Sequence, residues 1–276
     1  MAGKALFFIP TAKTPIPAVW DWIDRTDYVD KLIIRNMQKD TADEIAMQFF
    51  FLQDEYDYFI ITTDDVMGHP AQVQALLDAE EDNGFPILSG WCNHLDNWAS
   101  LSLDPVNPRI LEKAFNEPFP GLSLEDYNFA LRSDIAEGAF GFPFFNAWFT
   151  GIPLTLIQKK TLKMVPFREW RREKDKFCIT EQAKAEGRGV MQDVQWAIDC
   201  AEKGISITTD VRIFLLHLFD TSRSTLRVGR FTPQISFIPS KDMERYPQEL
   251  GEIETILKEL SDSAWTERKL TRKIYI

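Results

Sequence analysis

Two adjacent carboxylates at the end of an apolar run are the residues of this chain best suited to chemistry. Residues 58–61 form a continuous apolar run, typical of a buried parallel strand, and Asp64 and Asp65 follow it. Ligands of open α/β sheets bind just beyond the carboxyl ends of the strands. Carboxylate oxygens there suit Mg²⁺ or Mn²⁺, and the metal can bridge a diphosphate. The sequence also allows a purely structural role instead of metal binding, in which both residues form a solvated turn or cap a helix near Pro70.

Alternating strand and helix patterns must position these carboxylates. Strands are predicted at residues 5–9, 31–35, 58–61 and 85–90, and helices are predicted to begin at Pro17, Thr41 and Pro70. Thr41 and Glu44 match a capping box, which predicts a helix from there through Gln53. This strand–helix order predicts a parallel sheet with right-handed crossovers.

The middle of the chain, residues 91–147, has poor periodicity and many Asn, Asp, Pro and aromatic residues. We expect a long irregular or antiparallel excursion, which in a compact domain usually has a function. Its aromatic side chains could stack on a sugar ring, but an aromatic mini-core is the favoured interpretation for any single one. The residues concerned are Trp91, Trp98, Phe142, Phe144, Phe145 and Trp148.

Regular patterns return after this excursion. They predict strands at residues 149–157, 205–209 and 211–216, and helices at 192–203 and 247–260. The charged stretch 168–176 is typical of a loop or lid. The basic run at 269–273 could touch an acidic membrane surface, although a solvated terminus is the favoured interpretation.

Composition limits the class of protein. The chain has 276 residues, is 45% hydrophobic and 26% charged, and has a formal net charge of −11. This charge argues against a nucleic-acid partner, which would require a clustered basic surface. Three scattered cysteines, Cys92, Cys178 and Cys200, fit a reducing compartment rather than a disulfide framework or zinc cluster. Without a signal-peptide pattern or a run of ~20 apolar residues, we expect a cytoplasmic protein.

Several short segments occur in an order that resembles metal-dependent glycosyltransferases of the GT-A fold, closest in pattern to glycosyltransferase family two. The segments are Phe-Ile-Pro-Thr at 8–11, Thr-Asp-Asp at 63–65, Phe-Thr-Gly at 149–151, Met-Gln-Asp-Val at 191–194, Lys-Gly-Ile at 203–205, and His217. They span most of residues 4 to 218. Each segment is short, and it is their order and spacing together that carry the resemblance.

The resemblance implies an α/β fold of GT-A (Rossmann-like) type: a mostly parallel central sheet flanked by helices, with an irregular or antiparallel acceptor-side region. Residues 1–90 would form the nucleotide-sugar-binding half, and 91–218 the acceptor-binding and catalytic half of the same domain. Residues 219–276 would form a C-terminal lid and helical extension. In that lid, Arg223, Arg227 or Arg230 is a candidate for clamping the diphosphate.

The resemblance also implies roles for residues of the first half. Asp65 matches the last residue of the family's Asp-x-Asp motif, which binds the cation, Mn²⁺ or Mg²⁺, that bridges the diphosphate of the donor. Thr63 replaces the first Asp of that motif, so Asp64 is the candidate for holding the ribose. Thr11 matches a nucleotide-contacting position after the first strand. Asn36, after the second strand, is the candidate for recognising the base.

Two residues of the second half match catalytic and metal positions of the family. Asp193 matches the general base of inverting enzymes, which takes the proton of the attacking hydroxyl; its alternative role is to cap the helix predicted from Val194. His217 matches a histidine that completes the metal site in several relatives, and imidazole suits Mn²⁺. Its alternative role is purely structural. His69 and His94 have no such match and are interpreted as surface or turn residues.

The predicted function is metal-dependent transfer of a sugar from a UDP- or GDP-sugar to a hydroxyl of a glycan, lipid or protein, with inversion. A nucleotidyltransferase is disfavoured because residues 8–14 contain no glycine for a phosphate-binding loop. A catalytically inactive module that binds nucleotide or glycan is the alternative from another class. Thr63 and Gln192, each of which replaces an acid, favour that alternative.

Overall fold

The computed structural model describes residues 4–11, 16–37, 39–94, 97–105, 128–167, 192–218, 234–241 and 245–273. The strands are β1 (Ala5–Thr11), β2 (Asp30–Arg35), β3 (Tyr58–Thr62), β4 (Val66–Met67), β5 (Ile87–Cys92), β6 (Trp98–Ser102), β7 (Phe129–Leu131), β8 (Phe144–Ala147), β9 (Leu154–Gln158), β10 (Ile207–His217) and β11 (Gln234–Ile238). The helices are α1 (Pro17–Arg25), α2 (Lys39–Leu52), α3 (Pro70–Asn83), α4 (Arg132–Ala136), α5 (Lys159–Met164), α6 (Gln192–Glu202) and α7 (Pro247–Lys273).

Most of these strands form one sheet of nine strands, in the order β11-β2-β1-β3-β9-β5-β10-β4, with β8 also paired to β10. β1 runs parallel to β2 and β3, and β5 runs parallel to β10. Because β9 is antiparallel to both β3 and β5, the five strands β1, β2, β3, β5 and β10 share one direction. The predicted α/β class with a mostly parallel central sheet is confirmed, and it is consistent with a Rossmann-like GT-A fold.

Helices cover both faces of the sheet, which explains why its inner strands are apolar throughout. All seven residues of β1 are buried, and alternate ones point to opposite faces. Leu6 and Phe8 pack with residues of α2, α6 and α7, whereas Phe7 and Ile9 pack with residues of α1 and α3. Two apolar cores of this kind require continuous apolar strands, as the sequence indicates.

Several element boundaries differ from the prediction. α2 begins at Lys39, so the capping-box interpretation of Thr41 is wrong; Lys39 instead bonds Asp43 one turn later, with 2.6 Å between Nζ and Oδ2. The strand predicted at 149–157 is confined to β9. Gly151 and Ile152 have φ angles of +68° and +53°, which no strand accommodates. The two strands predicted at 205–216 are the single strand β10, whose register shifts between Thr209 and Phe214.

The strands that begin within the described parts of the excursion at residues 91–147 pair in antiparallel fashion, which agrees with the predicted irregular or antiparallel excursion. β6 pairs with β7, and β8 pairs with β10. The mini-core interpretation is confirmed for Trp91 and Phe145, which are buried in one cluster, and the indole of Trp91 donates to the carbonyl of Val211 at 2.9 Å. Phe142 is different, since 70% of its surface is exposed.

The C-terminal region contributes more to the fold than the sequence indicates. β11 adds an unpredicted antiparallel strand beside β2. α7 extends to Lys273, so the basic run at 269–273 is helical rather than a tail. None of the helices in the described part of the chain is both long and apolar enough to cross a membrane.

Arg245 ties this region to the amino ends of the strands. Its side chain is 2% exposed, and it donates to the carboxylates of Asp30 and Glu55, the latter at 2.6 Å. Asp30 also accepts hydrogen bonds from Tyr56 and from the backbone of Ser240, each at 2.7 Å. Burial by itself would raise the pKa of Asp30, but these hydrogen bonds and the guanidinium lower it overall.

We expect Arg245→Ala to destabilise the fold by about 3–5 kcal/mol, because it leaves the Asp30 carboxylate buried without its guanidinium partner. The control is Lys241→Ala, which removes the exposed ion pair of Lys241 with Asp27 and should change little. Urea unfolding of both variants measures the difference. Equal stability of the two variants would contradict this role of Arg245.

Candidate functional site

The structure brings five of the predicted site residues to one edge of the sheet. They are Thr11, Asn36, Asp64, Asp65 and His217, which lie at or just beyond the ends of β1, β2, β3 and β10. These strands share one direction, so their carboxyl ends face the same side. Ligands of open α/β sheets bind in this position, and we treat this edge as the candidate site.

Neither structural alternative for the two carboxylates, a solvated turn or a cap of α3, agrees with the structure. Asp64 and Asp65 form a turn, but they are 6% and 9% exposed, so the turn is not solvated. They do not cap α3 either, because His69 does: its ring accepts from the backbone of Ala71, and Gln72 completes a capping box. Two adjacent acids are therefore buried at the sheet edge for a reason other than a helix start.

Hydroxyl groups orient both carboxylates. Thr11 at the end of β1 donates to Oδ2 of Asp64 at 2.6 Å. Thr63, which was predicted to replace the first Asp of the family's Asp-x-Asp motif, donates to Oδ1 of Asp65 at 2.9 Å. Thr63 therefore helps to orient the carboxylate that is predicted to bind the metal.

His217 stands next to Asp65. Its Nε2 is 3.6 Å from Oδ1 of Asp65, and the two side chains are 26% and 12% exposed. This distance is too long for a hydrogen bond. Neighbouring ligands of one Mg²⁺ or Mn²⁺, each at about 2.1 Å, stand roughly 3 Å apart, so a small adjustment lets both contact one cation. No group of three or more His, Cys, Asp and Glu side chains fit to hold a metal occurs among the described residues.

Four interactions of the backbone fix the position of His217. Its residue partner across the sheet is Val66 of β4, directly after Asp65, and the N–H of Leu218 donates to the carbonyl of Asp65 at 2.8 Å. On the other side, the amide of Asn93 accepts from the N–H of His217 at 2.7 Å and donates to its carbonyl at 3.2 Å. The end of β10 is thus held on both sides.

Asn93 and His94 are residues of this edge that the sequence interpretation missed. The strand predicted at 85–90 ends two residues too early; β5 continues to Cys92 and so delivers Asn93 and His94 to the carboxyl edge. The ring of His94 is half-buried against Phe129, with 5.2 Å between the ring centres. Burial lowers the pKa of His94, and the charge of His217 lowers it further. The correct strand end would have been the signal for both residues.

Asn36 has a backbone reason for its position. Its φ is +61°, in the left-handed region that Asn tolerates better than most residues. Its N–H donates to the carbonyl of Thr11 at 3.0 Å. The turn after β2 therefore lies directly beside the end of β1, and its predicted role in base recognition stays a prediction.

Asp193 lies in the first turn of α6 and not before the helix, because α6 begins at Gln192. Its Oδ1 accepts from the N–H of Val194 at 3.0 Å, an interaction that also fits a capping role. Burial raises the pKa of Asp193, and the nearby positive charge of Lys39 acts in the opposite direction.

The structure does not bring Asp193 into contact with the other predicted site residues. Within the described ranges, Asp193 accepts a hydrogen bond from its own helix, and the charge of Lys39 at the start of α2 acts on its pKa. Arg223, Arg227 and Arg230, the predicted diphosphate clamp, and the predicted lid at 168–176 lie outside the described residues.

Comparison with known proteins does not show a family or a function for this chain. No family model matches this chain, and no curated protein does. The chain is similar to the crystal structure of A197 from STIV, with 14% identity, a TM-score of 0.49, and coverage of 88% of this chain and 97% of that one. It is also similar to CMP:2-keto-3-deoxy-manno-octonic acid synthetase complexed with CTP, with 11% identity, a TM-score of 0.37, and coverage of 78% and 90%. At these identities and scores, neither likeness says what this chain binds or does.

Proposed function

We propose that this chain is a metal-dependent glycosyltransferase, which moves a sugar from a UDP- or GDP-linked donor to a hydroxyl of a glycan, lipid or protein with inversion. The observation that carries the proposal is the closely spaced, partly buried pair of Asp65 and His217 at the carboxyl edge of the sheet, beside the Thr11–Asp64 hydrogen bond. A carboxylate and an imidazole 3.6 Å apart are ligands that suit Mn²⁺.

In this proposal, Asp65 and His217 hold the cation, and water and diphosphate oxygens supply the remaining ligands. A bound cation would neutralise the diphosphate as it departs. The protein needs such a partner for the phosphates because its own formal net charge is −11. Asn93 serves as a positioning residue, since its amide fixes the backbone of His217.

Asp64 would bind the donor rather than the metal. The hydrogen bond from Thr11 fixes the rotamer of its carboxylate at 2.6 Å. A carboxylate held in one orientation is suited to accept hydrogen bonds from the two hydroxyls of a ribose. Asn36, in the turn beside Thr11, would lie at the base of the same nucleotide.

Asp193 would act as the general base towards the acceptor hydroxyl. The pKa raised by burial supports this role, because a base works best when its pKa lies closer to the working pH than that of an ordinary Asp. In an inverting transfer the base stands on the face of the sugar opposite the departing diphosphate. A position apart from the metal ligands fits that requirement.

A second candidate is a catalytically inactive module that binds nucleotide or glycan. The observation that favours it is the set of contacts of Asp193, which fit a helix cap as well as a base. A transfer assay separates the two candidates. Donors are found first by a thermal-shift screen of nucleotide sugars with and without Mn²⁺, since a ligand that binds only the folded state raises stability by about RT ln(1+[L]/Kd).

We expect Asp65→Ala to abolish Mn²⁺-dependent binding of a nucleoside diphosphate while the protein stays folded, because Asp65 serves the metal and not the core. Calorimetric titration with and without Mn²⁺ measures the binding, and urea unfolding checks the fold. The control is Asp78→Ala, an exposed carboxylate on α3 that should change neither property. Unchanged metal dependence in Asp65→Ala would remove Asp65 from the site.

We expect Asp193→Asn to lower the transfer rate by roughly 10²–10⁴-fold, the usual contribution of a positioned base. Donor and metal affinity should be unchanged, because the amide is nearly isosteric and still accepts from Val194. A residue that only caps α6 would lose little stability and no rate. A normal transfer rate, together with retained stereochemistry at the sugar, would contradict both the base and the inverting mechanism.

A further inference from the structure

Two buried hydrogen-bond donors near the candidate site have no acceptor in the described part of the chain. The indole N–H of Trp20 and the Nε–H of Arg35 are both buried, and neither has a hydrogen-bond partner among the residues that the structure describes. The two side chains touch, since Cζ of Arg35 lies 4.6 Å from the centre of the Trp20 ring. Buried donors without acceptors are rare in folded proteins and call for an explanation.

The stacking of the guanidinium on the indole explains only part of this arrangement. A cation over the face of a Trp ring is attracted by the electrons of the ring, which offsets some of the cost of burying the charge. It does not replace the lost hydrogen bonds of the two N–H groups, which lie in the planes of their own groups. The stacking therefore satisfies the packing of the two side chains but leaves both N–H groups in need of acceptors.

Arg35 lies in one row with two residues of the candidate site. It is the register partner of Thr11 on the neighbouring strand, and Thr11 in turn bonds Asp64 after β3. Neighbouring strands are about 4.8 Å apart, so Arg35 stands roughly 10 Å from the strand that carries the carboxylates. Trp20 is in the first turn of α1, the helix that follows β1. Trp20 and Arg35 therefore lie along the same edge of the sheet, away from the predicted metal ligands Asp65 and His217.

From this row we infer that Trp20 and Arg35 bind the nucleobase of the donor, and that they select a base with two adjacent hydrogen-bond acceptors. This inference rests on the proposed function: with the diphosphate at Asp65 and His217 and the ribose at Asp64, the base extends along the edge towards Arg35. Both protein groups only donate, so they match the acceptor part of a base and not an N–H edge.

Two of the bases, guanine and cytosine, present two adjacent hydrogen-bond acceptors. Guanine presents O6 and N7 side by side, a pair that Arg commonly reads, and cytosine presents O2 and N3. Adenine has an amino group next to N7, and uracil has an N–H between its two carbonyls. In either base, a donor of the base would therefore face one of the two protein N–H groups. GDP and CDP should therefore bind better than ADP and UDP.

The test is calorimetric titration of the intact chain with GDP, CDP, UDP and ADP in the presence of Mn²⁺. Trp20→Phe removes one donor but keeps an aromatic face, and it should weaken the preferred diphosphate by roughly 2- to 12-fold. Arg35→Lys keeps the charge but removes the Nε–H, and it should weaken it by roughly 10- to 100-fold. Both variants should flatten the preference among the four bases. Arg25→Lys, at the exposed end of the same α1 helix, is the matched control.

The outcomes separate this inference from the proposed function. If the wild type prefers UDP or ADP, or if both variants keep its base preference while Asp65→Ala abolishes binding, the base assignment is overturned and the metal site stands. If no nucleoside diphosphate binds the wild type with Mn²⁺, both the inference and the proposed function fail. A lower affinity for GDP or CDP with a flattened preference supports the assignment, because a loss of packing alone would weaken all four ligands equally.

Discussion

The burial of two adjacent carboxylates is the constraint on which the rest of the site depends. Like charges one residue apart repel each other, and removing them from water makes the repulsion stronger. The chain offsets this cost with two hydroxyl donors, Thr11 on Asp64 and Thr63 on Asp65, and with the imidazole of His217 close by. These groups come from the ends of separate strands. The arrangement therefore exists only because β1, β3 and β10 share one direction and end at one edge.

The opposite edge of the sheet supplies the rigidity that such a site needs. There Arg245 joins Asp30, Glu55 and Tyr56 at the starts of β2 and β3, and it also bonds Glu249 at 2.6 Å in α7. The two edges have different roles: paired charges hold the strands at their amino ends, whereas the acids at the carboxyl ends face the candidate ligand site. Binding geometry requires that kind of support from the scaffold.

Sequence patterns within single segments predicted most of the strands and helices, but they did not predict the contacts between segments. The apolar runs at β1, β2 and β3 and the proline at the start of α1 fixed the alternating order, which led to the shared edge and to Asp64 and Asp65. His217 was predicted only through the resemblance to GT-A glycosyltransferases. The antiparallel insertion of β9 between β3 and β5 was not predicted, because strand order depends on long-range pairing. β11 was missed for the same reason. Asn93, Trp20 and Arg35 were also missed. The significance of Asn93 lies in a partner distant in the sequence, and that of Trp20 and Arg35 in N–H groups without an acceptor among the described residues.

Pulsed electron paramagnetic resonance of the Mn²⁺ complex with a nucleoside diphosphate tests the central claim most directly, because it reports the nuclei bound to the metal. The account predicts a ¹⁴N coupling from the imidazole of His217 and a ³¹P coupling from the diphosphate in the wild type. The nitrogen coupling should disappear in His217→Ala, while the phosphorus coupling persists. A complex without nitrogen coupling, or one whose nitrogen coupling survives in His217→Ala, would contradict a metal site formed by Asp65 and His217.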